Sequence, residues 1–419
     1  MTTTKDVPPQ PAVVQTDPRL VMAQRGLSGY AADSWRRVRG GELGSIPVVL
    51  GLIIIWVIFQ SMNSGFLSPS YLSQITIDIV ATGMLAAGIV FVLLLGEIDL
   101  SIGSVSGACA AVLAVANHSW GFNEWESILL AVVVGLAMGL LHGFFFAKIG
   151  VPAFIVTLAG LLGWLGVMLW VLGPTGSYNL SNSSGIIDRL TNTYFAEVIY
   201  AYGLAGVVTV GYLLVCLAGS RRRVRAGIPA RGFVEILVRS AVLGVVLFGI
   251  AVVYNQAQGL PLAPVIFLVF VVGLDFVLRH TSYGRKVFAV GGNVEAARRA
   301  GINVTAVRIS VFAISGTMAA IGGVFFASVN TNITKSGTGQ EILMDAIAAA
   351  VIGGTSLFGG RGSTYSALLG VLVIQSIAAG MNLVGITDYA QYMVTGVVLL
   401  AAVVIDSVSR RSQRASGRA

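Results

Sequence analysis

Two carboxylates, Glu97 and Asp99, close a long apolar run and are followed at once by Ser101, Gly103 and Ser104. A charge held beside hydrocarbon is costly, so acids in such a place line a cavity, meet a partner or mark a helix break. One reading makes Glu97, Asp99 and Ser101 part of the wall of a route through the protein, or a hinge beside it. The other makes them a cap, with Asp99 or Ser101 accepting from the first N–H groups of the next helix. The two are compatible, and the residues alone leave both open.

The remaining reactive side chains do not assemble into a catalyst. Three histidines and two cysteines, Cys109 and Cys216, are spread over 419 residues, with both thiols in or at the end of apolar runs. No disulfide framework, metal-ligand spacing or nucleophile–base pair can be drawn from them. No Gly-x-x-x-x-Gly-Lys-Ser/Thr stretch exists to cradle nucleotide phosphates. The expectation is a chain that is no enzyme, has no catalytic residue, cofactor or metal of its own, and draws its energy from elsewhere.

Composition sets the elements that must position these groups. At 56% hydrophobic and 11% charged, the chain has too little charge to coat a soluble body of its length. Apolar runs fall at roughly 45–62, 72–95, 103–117, 127–148, 150–172, 198–218, 233–254, 262–279, 305–328, 343–357, 363–382 and 386–406, and a helical crossing needs about 20 residues. The third and tenth runs are short, which predicts broken or re-entrant segments. The expected fold is an all-α polytopic membrane protein of ten to twelve transmembrane helices. Its transmembrane body, 45–406, lies between a polar, mobile N-terminal tail (1–44), without the apolar region of a cleavable signal, and a basic tail (407–419).

With twelve crossings and a cytoplasmic N-terminus, about 22 of the 26 Lys and Arg fall on the inner side, and both termini are cytoplasmic. The net charge of +8 is then a matter of topology and not of nucleic acid. Arg239 and Arg308 sit about one turn from inner span ends and read as snorkelling side chains, Arg239 with Glu235 four residues before it. Gly135, Gly139 and Gly143 repeat every four residues, the pattern of a close helix–helix contact. Asp78, Asp275 and Asp345 lie near span ends where water is close, and His142 reads as a hydrogen-bonded residue of the glycine face.

Between residues 280 and 304 the apolar pattern gives way to a polar stretch. Asn293 can cap a helix, Glu295 places negative charge in its first turn, Arg298 and Arg299 suit its carbonyl end, and Gly301 stops it. This predicts a two-turn helix about 12 Å long, entered by a sharp turn at Gly291 and Gly292. Such an element transmits force only when a partner grips its surface.

Glu295-Ala-Ala-Arg-Arg-Ala-Gly301 resembles the Glu-Ala-Ala-x-x-x-Gly pattern of the coupling helix in bacterial ABC importer permeases. Gly96-Glu-Ile-Asp-Leu-Ser-Ile-Gly-Ser104, Val151-Pro-Ala-Phe-Ile-Val-Thr-Leu-Ala159 and Ala346-Ile-Ala-Ala-Ala-Val-Ile-Gly-Gly-Thr-Ser-Leu-Phe-Gly-Gly-Arg-Gly-Ser363 resemble, in order, stretches of the monosaccharide permeases of that superfamily. Glu97, where the wider family often has Gly, resembles the xylose branch, and with the length of 173–260 it points to a xylose or a multi-sugar transporter. The resemblance implies an inner-membrane permease for a monosaccharide, worked by alternating access. Separate ABC ATPase subunits, which hold the ATP and Mg, would dock on Gly292, Asn293, Glu295, Ala296, Ala297, Arg298 and Gly301. A periplasmic sugar-binding protein would deliver solute to the outer loops, 173–197 among them, and a second permease copy would complete the pathway in the lipid membrane. Glu97, Asp99, Ser101 and Trp164 are the candidate pathway residues, Trp164 because an indole can stack on a sugar ring. The alternative is an ion-coupled secondary sugar carrier, which would need buried acids to hold its ion.

A second glycine-rich break, Gly353, Gly354, Gly359, Gly360, Arg361, Gly362 and Ser363, resembles the first. Either the chain holds an internal repeat or both are glycine-rich inner turns, with Arg361 free to meet Asp99 or a lipid phosphate.

Overall fold

A segment in hydrocarbon must satisfy its backbone polar groups within itself, and the apolar runs do so as helices. The computed structural model describes residues 46–180, 185–227, 230, 232–335, 340–386 and 388–415; the expected N-terminal tail, 1–44, lies outside them. In chain order the helices are α1 (Ile46–Met62), α2 (Pro69–Leu94), α3 (Ile102–His118), α4 (Glu124–Phe144, prolonged by a π turn Phe145–Ile149), α5 (Ala153–Leu172), α6 (Ile186–Asn192), α7 (Val198–Arg225) and α8 (Phe233–Gln256). They continue as α9 (Leu262–His280), α10 (Ser282–Gly292), α11 (Val294–Arg299), α12 (Val304–Asn330), α13 (Gln340–Ile352), α14 (Thr364–Val384) and α15 (Asp388–Ala415).

Eight of these helices, among the described residues, are long and apolar enough to cross a membrane. The protein is an all-α polytopic membrane protein. The two short runs are short in the fold as well: at about 1.5 Å per residue α13 rises about 20 Å, less than the roughly 30 Å of hydrocarbon. Each is joined to its neighbour by a non-helical break, 95–101 between α2 and α3, and 353–363 between α13 and α14.

Residues Tyr202–Ala251, from α7 and α8, form one compact unit. Within it the Tyr202 and Phe248 rings stack at 6.0 Å, and Arg239 bonds Glu235 at 2.9 Å, the pairing its spacing implies. The second unit holds the other described helices, with α12 packed against α2, α3 and α4. Gly135, Gly139 and Gly143 of α4 lie on the backbone of α12 at Gly316, Phe312 and Ile309, so a methyl group at any of them would meet main-chain atoms. That is the close packing the stripe predicts. α1 is tied to α14 by Trp56 Nε1, which donates to Ser376 Oγ at 3.0 Å.

Two short ribbons gather loops of this unit. β1 (Ser177–Asn179) pairs antiparallel with β4 (Asn332–Thr334), and β2 (Tyr194–Phe195) with β3 (Leu260–Pro261). α6 is held between α4 and α12: Ile187 N donates to Glu124 Oε2 at 2.8 Å, and the Thr191 and Ser328 hydroxyls meet at 2.7 Å.

The polar stretch 280–304 contains two helices where a single one is expected. α10 is amphipathic, burying Gly284, Val287 and Val290 while Arg285 and Lys286 stay exposed. Gly291 and Gly292 form its last turn, so the change of direction falls instead on Asn293, which is extended (φ −160°, ψ 108°). Apolar residues one turn apart supply a helical face that outweighs the flexibility of the two glycines.

Candidate functional site

The 95–101 break begins where α2 runs out of helical partners. Leu95 N and Gly96 N still bond to Val92 O and Leu93 O, and Gly96 then takes a left-handed conformation (φ +78°) that reverses the chain. Five residues beyond Leu94 the chain has carried Asp99 into the protein interior, where it is 4% exposed.

Asp99 accepts three hydrogen bonds. Its Oδ1 takes the Ser101 N–H at 2.9 Å and the Ser101 hydroxyl at 2.6 Å, and its Oδ2 takes the Ser315 hydroxyl from α12 at 2.9 Å. Ser101 Oγ also lies 3.2 Å from Nδ1 of His142 on α4, and His142 Nε2 accepts from Trp164 Nε1 on α5 at 2.8 Å. Because Nε2 accepts, the neutral ring carries its proton on Nδ1. Every donor then points the same way: indole to imidazole, imidazole to serine, serine to carboxylate.

This arrangement can hold elements together but is not built to react. A serine–histidine–aspartate catalyst needs imidazole between the hydroxyl and the acid. Here the serine stands in the middle, donates its hydrogen bond to the acid, and is fully buried with His142 beside it. Capping has a different form from the one expected: Ser101 occupies the N-cap of α3, yet its side chain accepts no bond from the first turn of that helix. The five side chains instead clamp the break to α4, α5 and α12.

The other candidate pathway residues lie at the margins. Glu97 is half-buried; burial raises its carboxyl above the ordinary 4.5, with the nearby Arg308 guanidinium opposing. Arg308 itself lies over the Phe146 ring, 4.5 Å from its centroid. Trp164 faces a groove of about 420 Å³ between α4 and α5, with Leu141, Phe145, Ile155 and Val167 among its walls. The only ring nitrogens there, those of His142 and Trp164, already bond each other or Ser101. Asp99 takes its side-chain bonds from Ser101 and Ser315. Asp275, expected near water, is buried and paired with Arg279 at 3.0 Å and Ser363 at 3.2 Å.

The α11 segment follows its expected local chemistry. Asn293 Oδ1 accepts from Ala296 N at 2.9 Å, Glu295 pairs with Arg298 at 3.1 Å, and Gly301 ends the turn at φ +79°. Of the seven residues expected at a docking face, Gly292, Asn293, Glu295, Ala296, Arg298 and Gly301 are exposed. Ala297 is turned inward and buried, because one face of even a two-turn helix must rest on the protein.

Ser315 and the linking role of His142 escape a reading of the sequence. Ser315 is one small hydroxyl in an apolar run, and no spacing marks it; only Asp99, as an acid in want of donors, signalled that partners must exist.

A family model described as the permease component of a branched-chain amino acid transport system matches residues 71–403. The chain is 33% identical to the xylose transport system permease protein of Haemophilus influenzae over 87% of its own length and 96% of that protein. It is 34% identical to the Escherichia coli xylose transport system permease protein, over 87% of this chain and 92% of that one. Against the ribose import permease protein of Bacillus subtilis the identity is 29%, over 87% and 94%. No solved structure matches.

Proposed function

Because the chain belongs to the family of transport-system permease components matched over 71–403, we propose that it is the membrane-spanning subunit of an ATP-driven importer of a monosaccharide, xylose or a close relative. The family description names amino acids, but the relatives that align over nearly their whole length are named for xylose and ribose. Separate ATPase subunits supply the energy, a sugar-binding protein delivers the solute on the outer face, and a second permease copy completes the route.

The observation that carries this reading is α11. It is short, capped at both ends, and presents Glu295, Ala296, Arg298 and Arg299 to solvent. A closing ATPase dimer can grip and push such a face, which under this reading lies in the cytoplasm with both termini. An ion-coupled carrier would need an acid open to its ion, and the bonds of Asp99 are instead taken by two serines. The test is reconstitution of the chain with candidate ATPase and sugar-binding proteins in liposomes. Xylose uptake is expected to need internal ATP and the binding protein, and to ignore proton and sodium gradients. Uphill uptake on a gradient alone would overturn the proposal.

A further inference from the structure

Gly291 has no room for a side chain. A Cβ there would run into the carbonyl oxygen of Leu94, the last residue of α2, and would stand 3.1 Å from Gly360 N. Gly360 N donates to that same Leu94 carbonyl at 2.9 Å, taking up a group that the C-terminus of α2 leaves without a helical partner. On the other side, a Cβ on Gly359 would lie 2.7 Å from Gly291 O and 3.0 Å from Gly96 N. Three lengths of main chain therefore meet with no side chain between them: the end of α10, the end of α2, and the 353–363 break.

We propose that this glycine junction, Gly291 with Gly96 and Gly359, is a rigid splice that passes displacement of α11 to the break carrying Asp99, so that α11, α10 and the ends of both breaks move as one body. Side chains can give by changing rotamer, whereas main-chain atoms in contact leave no such slack. At one end of the path, Asn293 alone separates α10 from α11. At the other, Leu94 is followed within five residues by Asp99, whose bonds reach α12 through Ser315 and, by way of Ser101, α4 and α5 through His142 and Trp164. The junction also accounts for one glycine in the first break and two in the second: Gly96, Gly359 and Gly360 bring bare main chain to the same contact. These glycines are positioning residues, acting through the elements they join.

The inference rests on the ATP-driven reading and is tested separately from it. In the reconstituted complex, sugar moved per ATP hydrolysed is measured for Gly291→Ala and for Gly166→Ala, a helical glycine of α5 with open space around it. Gly291→Ala is expected to lower the ratio at least about fivefold, the low end of ordinary coupling between sites, while hydrolysis continues and Gly166→Ala leaves the ratio unchanged. An unchanged ratio for Gly291→Ala overturns the splice. A second arm needs no variant and holds if Gly291→Ala fails to accumulate. In the unaltered complex the Gly360 amide, bonded to Leu94 O at 2.9 Å, is expected to be protected from hydrogen exchange to the same degree with the ATPase subunits empty and with them closed on ATP, because the joined segments travel together. Loss of that protection in either state overturns the proposal. Should the unaltered complex transport without ATP, the ATP-driven reading itself fails, a result none of these variants is needed to see.

Discussion

Ser315→Ala removes one bond from the buried Asp99 carboxylate and leaves Oδ2 without its protein donor. A hydrogen bond to a charged group contributes about 1.5–3 kcal/mol in soluble proteins. Between helices in a membrane the measured average is nearer 0.6 kcal/mol, because the unfolded chain finds other partners. The two limits correspond to roughly 3-fold and 150-fold in an opening equilibrium. A carboxylate at 4% exposure has few substitutes for the lost donor, which places the expectation at about tenfold. Cys109 supplies the assay. It lies on α3, directly after the clamp, and is fully buried, so in a Cys216→Ser background its rate of reaction with a thiol reagent reports how often α3 comes loose. Ser315→Ala should label about tenfold faster. Thr317→Val, on the same helix, loses only a local bond to Ala313 O and should stay within about twofold of the parent. In an Asp99→Asn background the effect of Ser315→Ala should shrink, since the charge that strengthened the bond is gone. Equal labelling of Ser315→Ala, Thr317→Val and the parent would show that Asp99 anchors nothing.

Glu295→Arg breaks the Arg298 pair on an exposed face and should leave the protein in the membrane at normal levels while ATP hydrolysis continues without sugar uptake; normal uptake counts against docking at α11. Gly139→Leu forces a side chain into the backbone of α12 and should abolish accumulation, whereas Gly163→Leu, on an open face of α5, should accumulate normally; matching levels would mean the α4–α12 contact is looser than drawn. For Glu97 the sign follows from burial. An acid raised above its ordinary 4.5 contributes its stability in the protonated form, fully below that value, and loses it as pH climbs through the raised one. Glu97→Gln should flatten that decline in a series of thermal-stability measurements against pH, and an unaltered slope would mean the carboxyl is better solvated than its surroundings indicate.

Much of the helical frame was legible because hydrocarbon offers a backbone no partner but itself. The run 305–328 became α12, 262–279 became α9, and the shortness of 343–357 carried over to α13. Local chemistry was legible for the same reason of short range. Asn293, Glu295 and Gly301 form the ends of α11 through atoms a few residues apart, and Arg239 finds Glu235 one turn away. α10 was missed because its two terminal glycines look like a turn, and only its burial of Val287 and Val290 against the protein makes it a helix.

The clamp and the junction belong to the tertiary structure alone. Ser315 reaches Asp99 across 216 residues of chain, and His142 reaches Ser101 across 41; a hydroxyl or an imidazole in an apolar run looks the same whether or not an acid waits for it. Gly291 and Gly292 are neighbours of one type, yet only at the first would a side chain run into other main chain. Sequence determined which long apolar segments would be helices and how the short α11 is capped, because those forces act within a turn or two. Which hydroxyl meets the buried acid, and which glycine has no space left, was decided by how the helices pack, since both depend on atoms that the chain brings together only after it has folded.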